Sequence, residues 1–414
     1  MPDLVISGLG VTSAIGQGRQ AFSSALLAGE HRFDVMRRPG RQWPLAASGD
    51  AAPQATRYLG AEIADLSLPP DLAHSMLRTA SLSSQVALAT LHEAWQEAAL
   101  AAADPGRIGL FVGGSNFQQR EMVLAQAQGA RKFQFLRPTY GMTFLDSDLC
   151  GICTEVFGIR GVAYTIGGAS ASGQLAVLQA AEAVRAGQVD IAIALGAMMD
   201  LSCFEAQALR SLGAMGSDRY AEQPELACRP FDQARDGFIF GESCGAVVVE
   251  RTATARRRGA TPWARLAGWS SHVEGNRNPN PSLGGELEVI NTALARAGWT
   301  AGQLDYVNPH ASGSGVGDET ELEALRQAGI DGAWVNTTKS ITGHGLSAAG
   351  AVEIVATLLQ MRAGRLHPSR NLEQPLASSC RIVGSEAVAH RMARALTLSF
   401  GFGGMNTALC LEAM

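Results

Sequence analysis

The chain has 414 residues, enough for two core-bearing units, and 46% of them are hydrophobic against 17% charged, the balance of a packed globular protein. A small stapled or metal-clipped module, a disordered chain and a fibrous repeat are excluded. The formal charge of -5 argues against affinity built on phosphate neutralisation, so no nucleic-acid partner is expected.

Taken in chain order, the sequence enters a β-rich run at once, Leu4 to Leu9, with no basic leader or cleavage site before it. Further runs follow at Ile108 to Val112, Val189 to Ala194, Ala246 to Glu250, Leu396 to Phe400 and Thr407 to Leu411. Several are apolar at successive positions, as expected of strands covered on both faces. Between them, helical spacing of apolar residues predicts helices over 82–102, 171–186, 286–297, 319–328 and 348–362. This alternation implies an α/β layered fold. The segment 171–186 is so rich in Ala and Leu that it predicts a largely buried helix. The run Arg251 to Arg258 marks a half-way connection, dividing the chain into units of 1–250 and 251–414.

No window approaches the ~18–20 uninterrupted apolar residues of a membrane span, and a cytoplasmic protein is expected. The seven cysteines, odd in number and scattered, predict free thiols. Cys150 and Cys153 form a C-x-x-C without a second pair or nearby His, so core packing is expected there and no metal site. No nucleotide or flavin motif is evident.

Three segments have the composition of a reaction site. Tyr164-Thr-Ile-Gly-Gly-Ala-Ser-Ala-Ser-Gly173 is a turn of small residues ahead of the buried helix, whose first N–H groups suit a developing negative charge. Val307-Asn-Pro-His-Ala-Ser-Gly-Ser-Gly-Val-Gly-Asp318 places His310 in a loop that lets a ligand approach the backbone. Asn336-Thr-Thr-Lys-Ser-Ile-Thr-Gly-His344 places Lys339 and His344 ahead of the helix bearing Glu353. Lys132 and Lys339 are the only lysines, which sets Lys339 apart. Neutral imidazoles in such loops donate N–H bonds to an oxyanion or enolate.

These segments, together with Ser7-Gly-Leu-Gly-Val-Thr, Arg229-Pro-Phe-Asp-Gln-Ala-Arg-Asp-Gly-Phe-Ile-Phe-Gly-Glu242 and Phe400-Gly-Phe-Gly-Gly-Met-Asn406, make the chain resemble the β-ketoacyl synthases of the thiolase fold over nearly its whole length. The resemblance implies two similar halves in a five-layered α-β-α-β-α core and a homodimer along an edge strand. It assigns the carbonyl-polarising histidines to His310 and His344, the supporting lysine to Lys339 and its carboxylate to Glu353. An oxyanion hole falls at the N–H groups of Ser170 and Phe402, with Phe402 as a gate. Ser312 and Ser314 stand where family threonines touch the pantetheine arm, and Phe400, Gly401 and Gly403 complete the substrate loop. Met405, Ser243 and Pro309 depart from the family pattern.

The departure that decides the chemistry is Ser170, which occupies the position of the family's cysteine nucleophile. A thiolate attacks a thioester readily, whereas a serine hydroxyl stays protonated at neutral pH and needs a dedicated base. Decarboxylation does not need the nucleophile. With both histidines and the lysine kept, the chain is similar to the free-standing decarboxylating ketosynthases of polyketide β-branching, which convert malonyl-carrier to acetyl-carrier. The implied partner is a malonyl-loaded acyl carrier protein, whose phosphopantetheine arm replaces any resident cofactor. Its docking patch is expected at Arg120, Arg131, Lys132 and Arg137 or at Arg256 to Arg258. Two other readings remain: a condensing or acyl-transferring synthase acting through Ser170, natural or substituted for cysteine, and a non-catalytic partner resembling a chain-length factor.

Overall fold

The computed structural model describes residues 3–45, 54–70, 72 and 77–414. The first half contributes β1 (Leu4–Ser13), α1 (Leu82–Glu97), β2 (Ile108–Gly113), α2 (Ser147–Phe157), β3 (Ala163–Ile166), α3 (Ser172–Arg185), β4 (Ile191–Gly196) and β5 (Ser243–Arg251). The second contributes β6 (Ala264–Val273), α4 (Leu283–Ala297), β7 (Tyr306–Asn308), α5 (Gly315–Gln327), β8 (Trp334–Val335), α6 (Ala349–Ala363), β9 (Arg394–Gly401) and β10 (Met405–Ala413). Spatial order is β3-β2-β4-β5-β1 in the first half and β8-β7-β9-β10-β6 in the second. In both, the first two pairings are parallel and the last two antiparallel. The opening strand of each half even slips register at the same place, between Ile6 and Gly8 in β1 and between Leu266 and Gly268 in β6. Short antiparallel pairing from Leu4–Leu266 to Ile6–Ala264 joins the halves into one path.

The layers follow from burial. Helices α3 and α6 lie between the two sheet halves, and every residue from Ala349 to Met361 is buried. Such a helix has no solvent face and is apolar on nearly every side, with Glu353, Thr357 and Gln360 buried among its apolar residues. Helices α1 and α2 cover one outer face and α4 and α5 the other, giving the five-layered thiolase-like α-β-α-β-α fold. The two central helices cross where each has a glycine: a Cβ on Gly173 would lie 2.8 Å from Ser347 O, and one on Gly350 would lie 2.8 Å from Gln174 Cβ. This contact brings the N-terminal ends of α3 and α6, and the loops before them, side by side.

Several expectations are corrected. The helix expected over 82–102 ends at Glu97, because Ala99 turns left-handed (φ 50°) before a 3-10 turn at Leu100–Ala102. The strand expected at 189–194 is shifted to Ile191–Gly196, and α5 begins four residues before the expected 319 because the Ser314 hydroxyl accepts the Gly317 N–H and caps it. The stretch Leu346–Ala363 is by length and mean hydropathy apolar enough to cross a membrane, but it is interrupted by Glu353 and Arg362, and 89% of it is buried within the fold. Arg251 to Arg258 forms a short helix, Thr252–Arg258, closed by Gly259. All seven cysteines are buried and unbridged.

Arg120 is not available to a partner. It is buried and pairs with Asp200 at 2.9 Å, in a network where fully buried Arg41 also reaches Asp200 (2.9 Å) and Glu242 (2.5 Å). Burial of that many charges is tolerated only because each is paired. Arg258 likewise pairs with Glu250 at 2.6 Å.

Candidate active site

Ser170 sits in the 3-10 turn Ala169–Ala171 that leads into α3. The turn is entered through Ala169 at φ 47°, a left-handed conformation that costs a non-glycine residue roughly 1–2 kcal/mol and is held by its surroundings. The Ser172 hydroxyl accepts the Gly168 N–H (2.9 Å) and donates to Ala169 O (2.7 Å), while the Ser399 hydroxyl donates to Ser170 O (3.1 Å). The β9–β10 turn presses against this loop from the other half. A Cβ on Gly401 would lie 2.3 Å from Gly168 O, so only glycine permits the approach.

His310 follows β7, and its loop is tied down by two buried carboxyl groups from α5. Glu321 accepts the N–H of His310 (2.6 Å) and of Ala311 (2.7 Å); Asp318 accepts those of Ser312 (3.1 Å), Gly313 (3.0 Å) and Phe231 (2.8 Å). Burial pushes Glu321 above the usual carboxylate range and Asp318 up to about 6. Lys339, 1% exposed, donates to the carbonyl oxygen of His310 (2.5 Å) and to Glu353 Oε1. Burial raises Glu353 to about 7 against the opposing pull of Lys339.

His344 is fixed by its own N–H, which donates to Ile239 O at 2.7 Å, and its ring meets that of Phe238 edge-on at 5.1 Å. Leu346, left-handed at φ 51°, donates its N–H to His344 Nδ1 at 3.3 Å. The ring's other nitrogen, Nε2, lies 3.0 Å from Ser170 Oγ. With Nδ1 accepting, a neutral ring carries its proton on Nε2 and donates it toward the serine. Burial, and then the Lys339 charge, hold both histidines well below the usual imidazole range. Both are therefore neutral N–H donors at neutral pH, their rings 5.4 Å apart and nearly perpendicular.

Ser170, His310 and His344 line one cavity of about 400 Å³, together with Phe400, Gly401 and Phe402. Ser312 and Ser314 line it as well; Phe402 is 42% exposed at its edge. Lys339 and Glu353 stand behind His310 and do not line it, nor does Gly403, whose place is taken by Gly404. Phe238, Asp318, Glu321, Glu274 and Glu286 belong to the site without having been expected there. The spacing of Asp318 and Glu321, which puts them one turn apart on a helix just after His310, is a signal that reads equally well as an acidic first turn. Among the described residues no cluster of three metal-ligating side chains occurs.

The sequence model of the β-ketoacyl synthase N-terminal domain matches residues 1–255, and that of the C-terminal domain residues 263–373. The chain is 57% identical over 412 residues to the polyketide biosynthesis malonyl-ACP decarboxylase PksF of Bacillus subtilis (strain 168), covering 100% of this chain and 97% of that protein. It is 29% identical to 3-oxoacyl-[acyl-carrier-protein] synthase 1 of Haemophilus influenzae, covering 99% of this chain and 98% of that protein. The crystal structure of a β-ketoacyl synthase from Burkholderia phymatum STM815 superposes with a TM-score of 0.87 at 25% identity, covering 100% of both chains. Fold, site geometry and the two matched domains agree: this chain belongs to the β-ketoacyl synthase family.

Proposed function

We propose that this chain decarboxylates malonyl-acyl-carrier protein to acetyl-acyl-carrier protein, supplying acetyl units for β-branching in polyketide biosynthesis. The observation that carries the reading is the hydrogen bond between Ser170 and His344. Because His344 Nδ1 accepts from Leu346, Nε2 offers Ser170 a proton instead of removing one. The serine thus lacks the base that acyl transfer requires. The name of the relative at 57% identity, a malonyl-ACP decarboxylase, supports the same conclusion.

The remaining apparatus suits loss of carbon dioxide. A malonyl thioester whose carbonyl oxygen lies between His310 and His344 receives two N–H bonds, which strengthen as the oxygen gains enolate charge. Each such donor is worth roughly 10²–10³ in rate. Lys339 holds His310 in place through its carbonyl oxygen and Glu353 holds Lys339. The N–H groups of Ser170 and Phe402 seat the thioester, Phe402 gates the cavity, and Ser312 and Ser314 border the pantetheine arm. The arm arrives on the carrier, so no resident cofactor is assigned. A non-catalytic role would leave the buried Lys339–Glu353 support of His310 without a purpose.

The carrier docks through Arg131, Lys132 and Arg137, the last two of which border a surface hollow with Phe135 and Tyr140. The chain is a homodimer joined along β3, which ends the sheet with Tyr164 41% exposed; exposed Phe133, Met142 and Phe144 supply further apolar surface. Seven free, buried thiols agree with a cytoplasmic protein. The test is to offer malonyl-carrier with and without an acyl-loaded carrier: acetyl-carrier in both cases, with no elongated product, supports the reading, and an elongated product overturns it.

A further inference from the structure

Decarboxylation without condensation leaves a chemical requirement that an elongating synthase does not have. In elongation the carbanion at C2 of the malonyl unit is captured by an acyl thioester, and no proton is added to it. In a decarboxylase the C2–carboxyl bond breaks, carbon dioxide departs, its electron pair becomes the enolate, and C2 must then gain a proton from an acid in the cavity. His310 and His344 are committed to the enolate oxygen. The donor must come from another wall.

Glu286 lines the same cavity from the first turn of α4. It is 1% exposed, and its Oε2 is buried with no hydrogen-bond partner. A buried carboxyl oxygen without a partner is destabilising, so the group is retained there at the expense of stability. Four other carboxyl groups line the cavity, and two of them, Glu205 and Asp318, accept from Ser202 and from the N–H groups of Phe231, Ser312 and Gly313. Glu274 packs on the backbone of Gly285 and accepts from Asn406 Nδ2 at 3.1 Å; Glu321 has both oxygens occupied by the N–H groups of His310 and Ala311. Each of those groups has work as an acceptor, and Glu286 alone of the five has a buried oxygen free of any partner.

We propose that Glu286 is the acid of this site: its protonated carboxyl group gives its proton to C2 of the enolate, forming the methyl group of acetyl-carrier, and is reprotonated by water. The surroundings favour the protonated form, since burial and then the charges of Glu321 and Glu274 push Glu286 well above the usual carboxylate range. The other titratable groups that line the cavity are Glu205, Asp318, His310 and His344. A neutral carboxyl group also admits the malonyl carboxylate without like-charge repulsion. This inference rests on the decarboxylase reading.

The experiment measures acetyl-carrier formation across pH for the wild type, Glu286→Gln and Glu286→Ala. Glu286→Gln is expected to lower kcat about 100-fold or more while leaving KM for malonyl-carrier nearly unchanged, because general acids contribute roughly 10²–10⁴. The wild-type rate falls on the alkaline side as Glu286 ionises, and the Gln variant loses that limb. Glu286→Ala is expected to regain activity when acetate is added, in proportion to undissociated acetic acid, which a structural role for Glu286 does not predict. An active wild type with Glu286→Gln within about threefold of it and the same pH profile overturns the inference. An inactive wild type overturns the decarboxylase reading and the inference with it. If Glu286→Gln fails to fold, acetate rescue of Glu286→Ala and the wild-type alkaline limb decide the question, and absence of both contradicts the assignment.

Discussion

His344 Nε2 lies 3.0 Å from Ser170 Oγ while its Nδ1 accepts the N–H of Leu346, so the histidine is a donor to the serine. That polarity separates this site from a nucleophile–base pair, in which the imidazole accepts the nucleophile's proton. The same N–H is available to a thioester oxygen when substrate displaces the serine hydroxyl.

His310→Ala and His344→Ala should each lower decarboxylation about 100-fold or more, and Ser170→Ala only a few-fold, since the imidazoles carry enolate charge and the hydroxyl does not. Rates of acetyl-carrier formation by the three variants decide the matter. Equal losses from all three contradict the assignment.

Ser170→Cys should turn the chain into a self-acylating protein. The site keeps its position at the start of α3, where backbone N–H groups stabilise a thiolate. Because the seven native cysteines are buried, iodoacetamide should label the variant once and the wild type hardly at all. An unlabelled variant contradicts a preserved pocket.

Lys339→Met leaves Glu353 buried without its partner, both side chains being 2% exposed; Glu353, already raised to about 7, takes up a proton, and the loss of the hydrogen bonds should cost about 1–3 kcal/mol in stability. The pair Lys339→Met with Glu353→Gln should recover much of this in chemical denaturation without restoring activity, because the bond to His310 O stays lost. Full activity in the double variant contradicts a positioning role for Lys339.

The fold was legible where burial is one-sided in its demands. Strands covered on both faces and helices such as α3 announce themselves by composition, whereas β6, half-buried and carrying Arg265, Ser270, Ser271 and His272, offers no continuous apolar run. Tyr306–Asn308 and Trp334–Val335 are too short for any periodicity. Ser170, His310, His344 and Lys339 were legible because small residues and glycines surround them. Glu286 was not, since an acid in the first turn of a helix is ordinary until burial is known. Arg120 looked like a surface cation because its partner, Asp200, lies 80 residues away in sequence.

Gly401→Ala should separate the β9–β10 turn from the Ser170 loop. Its Cβ has no room beside Gly168 O, and relief of such overpacking costs about 1–3 kcal/mol. A lower thermal midpoint together with lost decarboxylation is expected; unchanged activity contradicts the contact.

His367 is fully buried, with Nδ1 2.8 Å from Pro368 O, and burial lowers it from 6.5 to about 4. The unfolded chain therefore binds a proton here that the folded chain does not, and stability from this group is lost as pH falls from 6.5 to about 4. Relative to His367→Asn, the wild type should lose about 1.4 kcal/mol per pH unit across that window. Parallel denaturation profiles for the two proteins contradict this.

The most direct test of the central claim is intact-protein mass spectrometry of malonyl-carrier incubated with this chain, following both species in time. The carrier is expected to lose the mass of carbon dioxide while the enzyme's mass does not change at any time point. An acyl adduct on Ser170 that forms and decays with turnover would contradict it, as would a carrier that keeps its malonyl group.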